Sequence, residues 1–184
     1  EIIGEAKAKG AAITCDVGVH HLHLSDRDIA DFDPLCNLVP PLRDPSDRER
    51  LRRALAEGTL DAVCSDHTPL DEDAKQVPFA EAQPGATGLE LLLPLTLQWG
   101  RECGLTLADT LAAVTIRPAR ILGVAAGTLE PGASADVCLF DPSRPWRVEP
   151  SALASQGKNT PFMGLELTGR VMRTLVGGRT VHAA

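Results

Sequence analysis

What the 184-residue sequence lacks narrows its chemistry first. It has no Tyr, and aromatic residues make up only 3% of it, so its core must be built from Leu, Val, Ile and Ala. Positive charge is also in deficit: 18 Lys and Arg stand against 25 Asp and Glu, for a net charge of -7. Binding to phosphate backbones needs clustered cations, so a nucleic-acid surface is excluded and a small-molecule partner is expected. No run of eighteen apolar residues is present, which argues against a membrane-spanning helix. The five cysteines are odd in number and show no C-x-x-C spacing. Neither a disulfide framework nor a zinc-finger cluster is indicated, and a reducing cytoplasm is the expected location. No signal peptide is visible either, and the opening Glu1 to Gly10 reads like the middle of a helix closed by Gly, the start expected of a fragment or of one product of a cut chain.

What is present is mostly α/β in texture. Glu1 to Lys9 reads as a short amphipathic helix, and Ala11 to Val17 as a strand alternating Ile13, Cys15 and Val17 with polar residues. Pro45 to Glu57 repeats the helix, with Ser46 as its expected cap and Gly58 as its stop, before a strand at Leu60 to Cys64. Two helix-Gly-strand steps in succession imply an α/β architecture, as a closed barrel or an open sheet. Further on, Thr87 is the expected cap of an apolar helix reaching Cys103 that Pro94 should kink, followed by helices at Leu107 to Val114 and Arg117 to Leu122. From Gly127 the pattern becomes short strands and turns. Val137 to Phe140 reads as a strand, and Gly177-Gly178 between Gly169–Val176 and Arg179–His182 signals a tight hairpin. Two units are therefore expected, residues 1–126 and a small β unit at 127–184.

The residue that draws attention is Asp66. The buried run Ala62-Val-Cys64 breaks into Ser65, Asp66 and His67, which places a carboxylate at the C-terminal end of a core strand. In a barrel of alternating strands and helices that end carries the chemistry, and a carboxylate there can bind a metal or take a proton from attacking water. The same spacing also fits an Asp capping the next turn, with Pro69 supplying the bend. His21 and His23 leave two readings open as well. On a strand, H-x-H would present both rings on one face, as zinc sites do; otherwise Ser25 caps a helix through Asp28 and local hydrogen bonds satisfy the histidines. Gly85 and Gly88 would let backbone amides approach a ligand, or would simply open a helix.

Read in order, Ile13-Thr-Cys-Asp-Val17, His20-His-Leu-His-Leu24, Val39-Pro-Pro-Leu-Arg43, Ser65-Asp-His-Thr-Pro69, Gly85-Ala-Thr-Gly-Leu-Glu90, Pro131-Gly-Ala-Ser-Ala-Asp136 and Gly157-Lys-Asn-Thr-Pro-Phe162 resemble the C-terminal half of dihydroorotases of the amidohydrolase superfamily. The resemblance implies a (β/α)8 metal-dependent hydrolase barrel, of which this chain supplies the last two strands, Ile13–Val17 and Leu60–Cys64, plus part of a small β domain. It implies one or two Zn2+ ions with most ligands in the N-terminal half of the same barrel, which would be this chain's first partner. His21 and His23 then fall after the seventh strand, outside the main zinc cluster.

Asp66 matches the family's strand-eight aspartate. In that role it binds zinc, accepts a proton from the metal-activated hydroxide and passes it to the leaving amide nitrogen. Pro84 and Gly85 would meet the ring edge of the substrate through their backbone. The implied activity is the interconversion of dihydroorotate and N-carbamoyl-aspartate in pyrimidine biosynthesis, which the fragment by itself would not carry out. The sequence departs from the family at two positions. Val39 stands where Asn is usual and Leu70 where His is usual, which also leaves room for another cyclic amide or for a non-catalytic subunit that supports aspartate transcarbamoylase.

Overall fold

The computed structural model describes residues 2–184. Its first part is built around two short parallel strands, β1 (Asp16–Gly18) and β2 (Ala62–Cys64), paired with Val17 opposite Val63. Between them run three single 3-10 turns and helix α2 (Pro45–Ala56), so β1–α2–β2 is a βαβ unit. The parallel pairing that the alternating pattern implied is present.

Both strands are shorter than the sequence suggests. Ala11 to Cys15 form no ladder, and Ile13 is 40% exposed. The Asp61 side chain takes over there, accepting from the Cys15 amide at 2.8 Å and pairing with Lys7 of helix α1 (Ile2–Ala8) at 2.6 Å. On the far side of β2, the Val63 amide donates to the Ala113 carbonyl at 3.0 Å.

Three expectations about helix ends are corrected. The cap of α2 is Asp44, whose carboxylate accepts from the amides of Ser46 and Asp47, while Pro45 occupies the first turn where its missing N–H costs nothing. Thr87 does not cap the next helix, α3 (Leu92–Glu102), because it lies upstream and fully buried. Pro94 falls in the first turn of α3, where the amide has no intrahelical partner to lose, so no kink follows. Helices α4 (Leu107–Ala112), capped by Thr106, and α5 (Ile116–Leu122) come next, close to their expected positions.

The last part is a three-stranded antiparallel sheet, β3 (Val137–Arg147), β4 (Glu166–Val176) and β5 (Arg179–Ala183), in the order β3-β4-β5. Gly177 and Gly178 turn the hairpin with φ of 54° and 78°, as their pairing predicts. Strand β3 extends well past Phe140, through one register shift between Leu139 and Phe140 and a second between Asp141 and Pro145 that takes in Pro142. Arg170 stacks over Trp146 at 4.6 Å, and the indole N–H donates to Gly169 O at 3.1 Å.

A single apolar core joins the parts. Val17, Leu22 and Leu55 meet Leu91, Leu95 and Trp99, and Val148, Leu153 and Phe162 from the β3–β4 connection enter the same cluster. That connection therefore runs back across the end of the strand pair. It positions the site.

Candidate active site at the end of the second strand

Asp66 leaves β2 at its C-terminal end with φ at +45°, a left-handed conformation that non-Gly residues adopt only when their surroundings impose it. The surroundings here are glycines. A Cβ on Gly18 would lie 3.3 Å from Asp66 Cβ, 3.4 Å from its Oδ2 and 3.1 Å from His21 Nδ1. A Cβ on Gly88 would sit 2.3 Å from the Ser65 carbonyl oxygen, so the 84–88 backbone presses directly on the turn that carries Asp66. The carboxylate stands half-buried beside the end of β1.

His67 points the other way. Its Nδ1 accepts from the amides of Gly88 and Leu89, both at 3.2 Å, which leaves the ring proton on Nε2, 3.5 Å from Ser155 Oγ. Ser155 in turn donates through both its amide and its hydroxyl to Glu90, at 2.6 and 2.9 Å. Burial pushes the Glu90 carboxyl up, but these two donors, with the Glu90 amide itself and the nearby His67 ring, hold it below the ordinary range.

The H-x-H pair does not lie on a strand. Val19–Leu22 form a 3-10 turn; His21 Nε2 sits 2.8 Å from Pro40 O, and His23 Nε2 2.9 Å from Leu95 O. Carbonyls satisfy both rings, and Ser25 opens the turn Asp26–Ile29 with Asp28 accepting from its amide and hydroxyl. The hydrogen-bonded alternative holds. His20, which the sequence reading left without a role, is fully buried with neither ring nitrogen partnered and stacks on Phe162 at 5.8 Å. Burial lowers its pKa to about 4, and burial does the same to His23.

Of the other expected contacts, Pro84 is exposed, while the Gly85 amide is committed to Asn37 O at 2.9 Å. Val39 is 67% exposed on the neighbouring loop and Leu70 is half-buried. The buried Lys75 spends its charge on the carbonyls of Pro34 and Asn37. Cys36 and Cys64 are poor nucleophiles, since burial pushes their thiols up to about 11 and about 12.

Two clefts flank this region without including Asp66. One, of about 380 Å³, is lined by His23, Arg48, Arg52 and Glu102 among others; the other, of about 310 Å³ and mostly apolar, follows the strand pair against α5. Among the described residues no group of three or more His, Cys, Asp or Glu side chains is arranged to hold a metal ion. Among the described residues the strand-end carboxylate of Asp66 is of the chemical kind a zinc site uses, as a single oxygen donor that needs further ligands.

A parallel strand pair with a carboxylate just past its C-terminal end, backed by helices and followed by an antiparallel sheet, is part of an α/β protein with that carboxylate at the strand end where such folds carry their chemistry. Comparison with known proteins narrows the class. The sequence profile of the amidohydrolase family matches residues 8–181, and the chain belongs to that family. Among curated relatives, a protein named dihydroorotase from Geobacter sp. (strain M21) is 40% identical over 183 residues, covering 100% of this chain and 43% of the relative. Another dihydroorotase, from Anaeromyxobacter dehalogenans (strain 2CP-1 / ATCC BAA-258), is 43% identical and is covered over 42% of its length. The chain thus spans less than half of the curated relatives it matches. Among solved structures, L-hydantoinase (dihydropyrimidinase) from Arthrobacter aurescens superposes with a TM-score of 0.90 at 30% identity, over 99% of this chain and 42% of that one. Dihydropyrimidinase from Brevibacillus agri NCHU1002 gives 0.84 at 25% identity, over 98% of this chain and 41% of that one.

Proposed function

We propose that the protein carrying this chain is a zinc-dependent cyclic-amide hydrolase of the dihydroorotase kind, opening the ring of dihydroorotate or closing it from N-carbamoyl-aspartate. The observation that carries the reading is Asp66, held in a left-handed turn at the end of a parallel core strand by glycines that leave its carboxylate room. Relatives named dihydroorotase at about 40% identity support the substrate class. In this reading β1 and β2 are the last two strands of the barrel, residues 127–184 belong to a small β domain, and the N-terminal half supplies the remaining zinc ligands. When bound, zinc supplies the Lewis acidity that makes water a competent nucleophile at neutral pH. Asp66 holds the proton released by the attacking water and delivers it to the departing amide nitrogen. The Pro84–Gly85 backbone orients the ring edge, and the setting is cytoplasmic pyrimidine synthesis.

A second reading rests on Val39 and Leu70. Both stand where a polar side chain would meet the substrate, and each unmet hydrogen bond costs about 1–3 kcal/mol. Such a protein would support aspartate transcarbamoylase as a non-catalytic subunit, or would act on a cyclic amide with a less polar substituent. The deciding experiment measures zinc content and dihydroorotate turnover of the full-length protein and of Asp66→Ala. Turnover that falls about 100- to 10,000-fold in the variant supports the first reading. Equal turnover removes Asp66 from the chemistry, and a zinc-free wild type that turns over neither substrate leaves the assembly role.

A further inference from the structure

The loop carrying Asp66 and the loop carrying Gly85 are separate excursions of the backbone that meet in a short parallel bridge between His67 and Ala86, where the Thr68 amide donates to Ala86 O at 2.8 Å, and in the Gly88 and Leu89 amides that donate to His67 Nδ1. A third segment, Gly157–Thr160 of the β3–β4 connection, bridges them. The Asn159 side chain, 5% exposed, uses both ends of its amide on both loops. Its Nδ2 donates to Thr68 O at 3.0 Å and Gly85 O at 3.2 Å, and its Oδ1 accepts from the Leu70 amide at 2.8 Å and from Thr87 Oγ1 at 3.1 Å. The backbone joins in, because Thr87 N donates to Asn159 O at 2.8 Å, and the single Thr87 hydroxyl proton is shared between Asn159 Oδ1 and Gly157 O, the latter at 2.8 Å. The close approach is built for: a Cβ on Gly157 would lie 2.7 Å from Leu70 N and 2.8 Å from Pro69 Cβ.

We propose that Asn159 is a positioning residue which fixes the register between the Asp66 loop and the Gly85 loop. A carboxamide is the side chain that can donate two bonds and accept two in this space. Each loop carries one half of the proposed chemistry, the carboxylate on one and the backbone that orients the ring on the other. Asn159 touches neither substrate nor metal in this arrangement. It acts by holding the distance between the two halves, and that part of the inference rests on the hydrolase reading above.

The test uses the full-length protein with Asn159→Ala and Asn159→Asp, the latter isosteric but presenting an acceptor to the carbonyls of Thr68 and Gly85. Amide hydrogen exchange is followed at Leu70, whose N–H donates to Asn159 directly, and at Thr68, whose N–H donates instead to Ala86 O. If Asn159 sets the register, both amides exchange about tenfold faster or more in both variants, while β4 keeps its protection. Faster exchange at Leu70 alone, with Thr68 protected, overturns the proposal, as does an Asp variant that matches the wild type. With dihydroorotate as substrate, kcat/KM should fall about tenfold or more through a raised KM as well as a lowered kcat. A fall in kcat alone, tracking the folded fraction, would mark Asn159 as merely structural. A wild type without turnover sinks the hydrolase reading but leaves the exchange experiment to decide the coupling.

Discussion

Lowering the pH from 7 to 5 should destabilise this protein through two imidazoles, chiefly His20. His20 is fully buried and neither nitrogen is partnered; His23 is half-buried, with one nitrogen on Leu95 O. Burial, the largest influence on each, lowers both pKa values from 6.5 to about 4. The folded value lies below the unfolded one, so the unfolded chain binds the proton more readily. The stabilisation is therefore fully present above about pH 6.5 and is lost as pH falls from there through about 4. Between pH 7 and 5 the loss is about 2 kcal/mol for His20, whose full burial leaves little for solvent to screen. His23 lines an open cleft and contributes less. The assay is urea unfolding of the protein and of His20→Leu across that range, with the ring of His20 titrated by NMR. The stability gap between wild type and variant should change by about 2 kcal/mol in the variant's favour on acidification. Parallel stability curves, or a His20 ring that titrates near 6.5, would refute the reasoning.

Gly100→Ala should destabilise the α3–α4 contact by about 1–3 kcal/mol or more, because its Cβ would lie 2.1 Å from Thr110 Oγ1 and 2.5 Å from its Cγ2; thermal unfolding checks it. Val39→Asn combined with Leu70→His should raise dihydroorotate turnover about tenfold or more if these two positions alone limit a working site, and a steady-state assay on the full-length protein reads the change.

How much of this was legible in the sequence varied with how local the cause was. The alternation of helix and strand, the Gly177–Gly178 hairpin and the position of Asp66 at a strand end all follow from short-range patterns, and they hold. The capping errors have a local remedy, since Asp44 before Pro45 is a better cap signal than Ser46 after it. Thr87 misled for a different reason. Its hydroxyl is spent on Gly157 and Asn159, partners far along the chain that no window around Thr87 contains. Asn159 was visible only as one letter of a motif, because a side chain that braces two distant loops carries no periodicity. His20 likewise reads as an ordinary polar residue until Phe162 and Gly88 close over it.

The two functional readings make different use of the same architecture. The groups that hold Asp66 in place are glycines, Gly18 beside its carboxylate and Gly88 against Ser65, together with the Asn159 carboxamide that spans the two loops. None of these groups is chosen for a particular substrate, so the scaffold would keep Asp66 in position whether or not dihydroorotate binds. Retention of the aspartate is thus evidence for the family's geometry rather than for its turnover. Val39 and Leu70 belong to the other category, since no hydrogen bond from either side chain supports the loops and their nature matters only to what enters between them. In the proposed function substrate choice falls to those two apolar side chains, and exchanging them tests that reading apart from the glycines that hold Asp66.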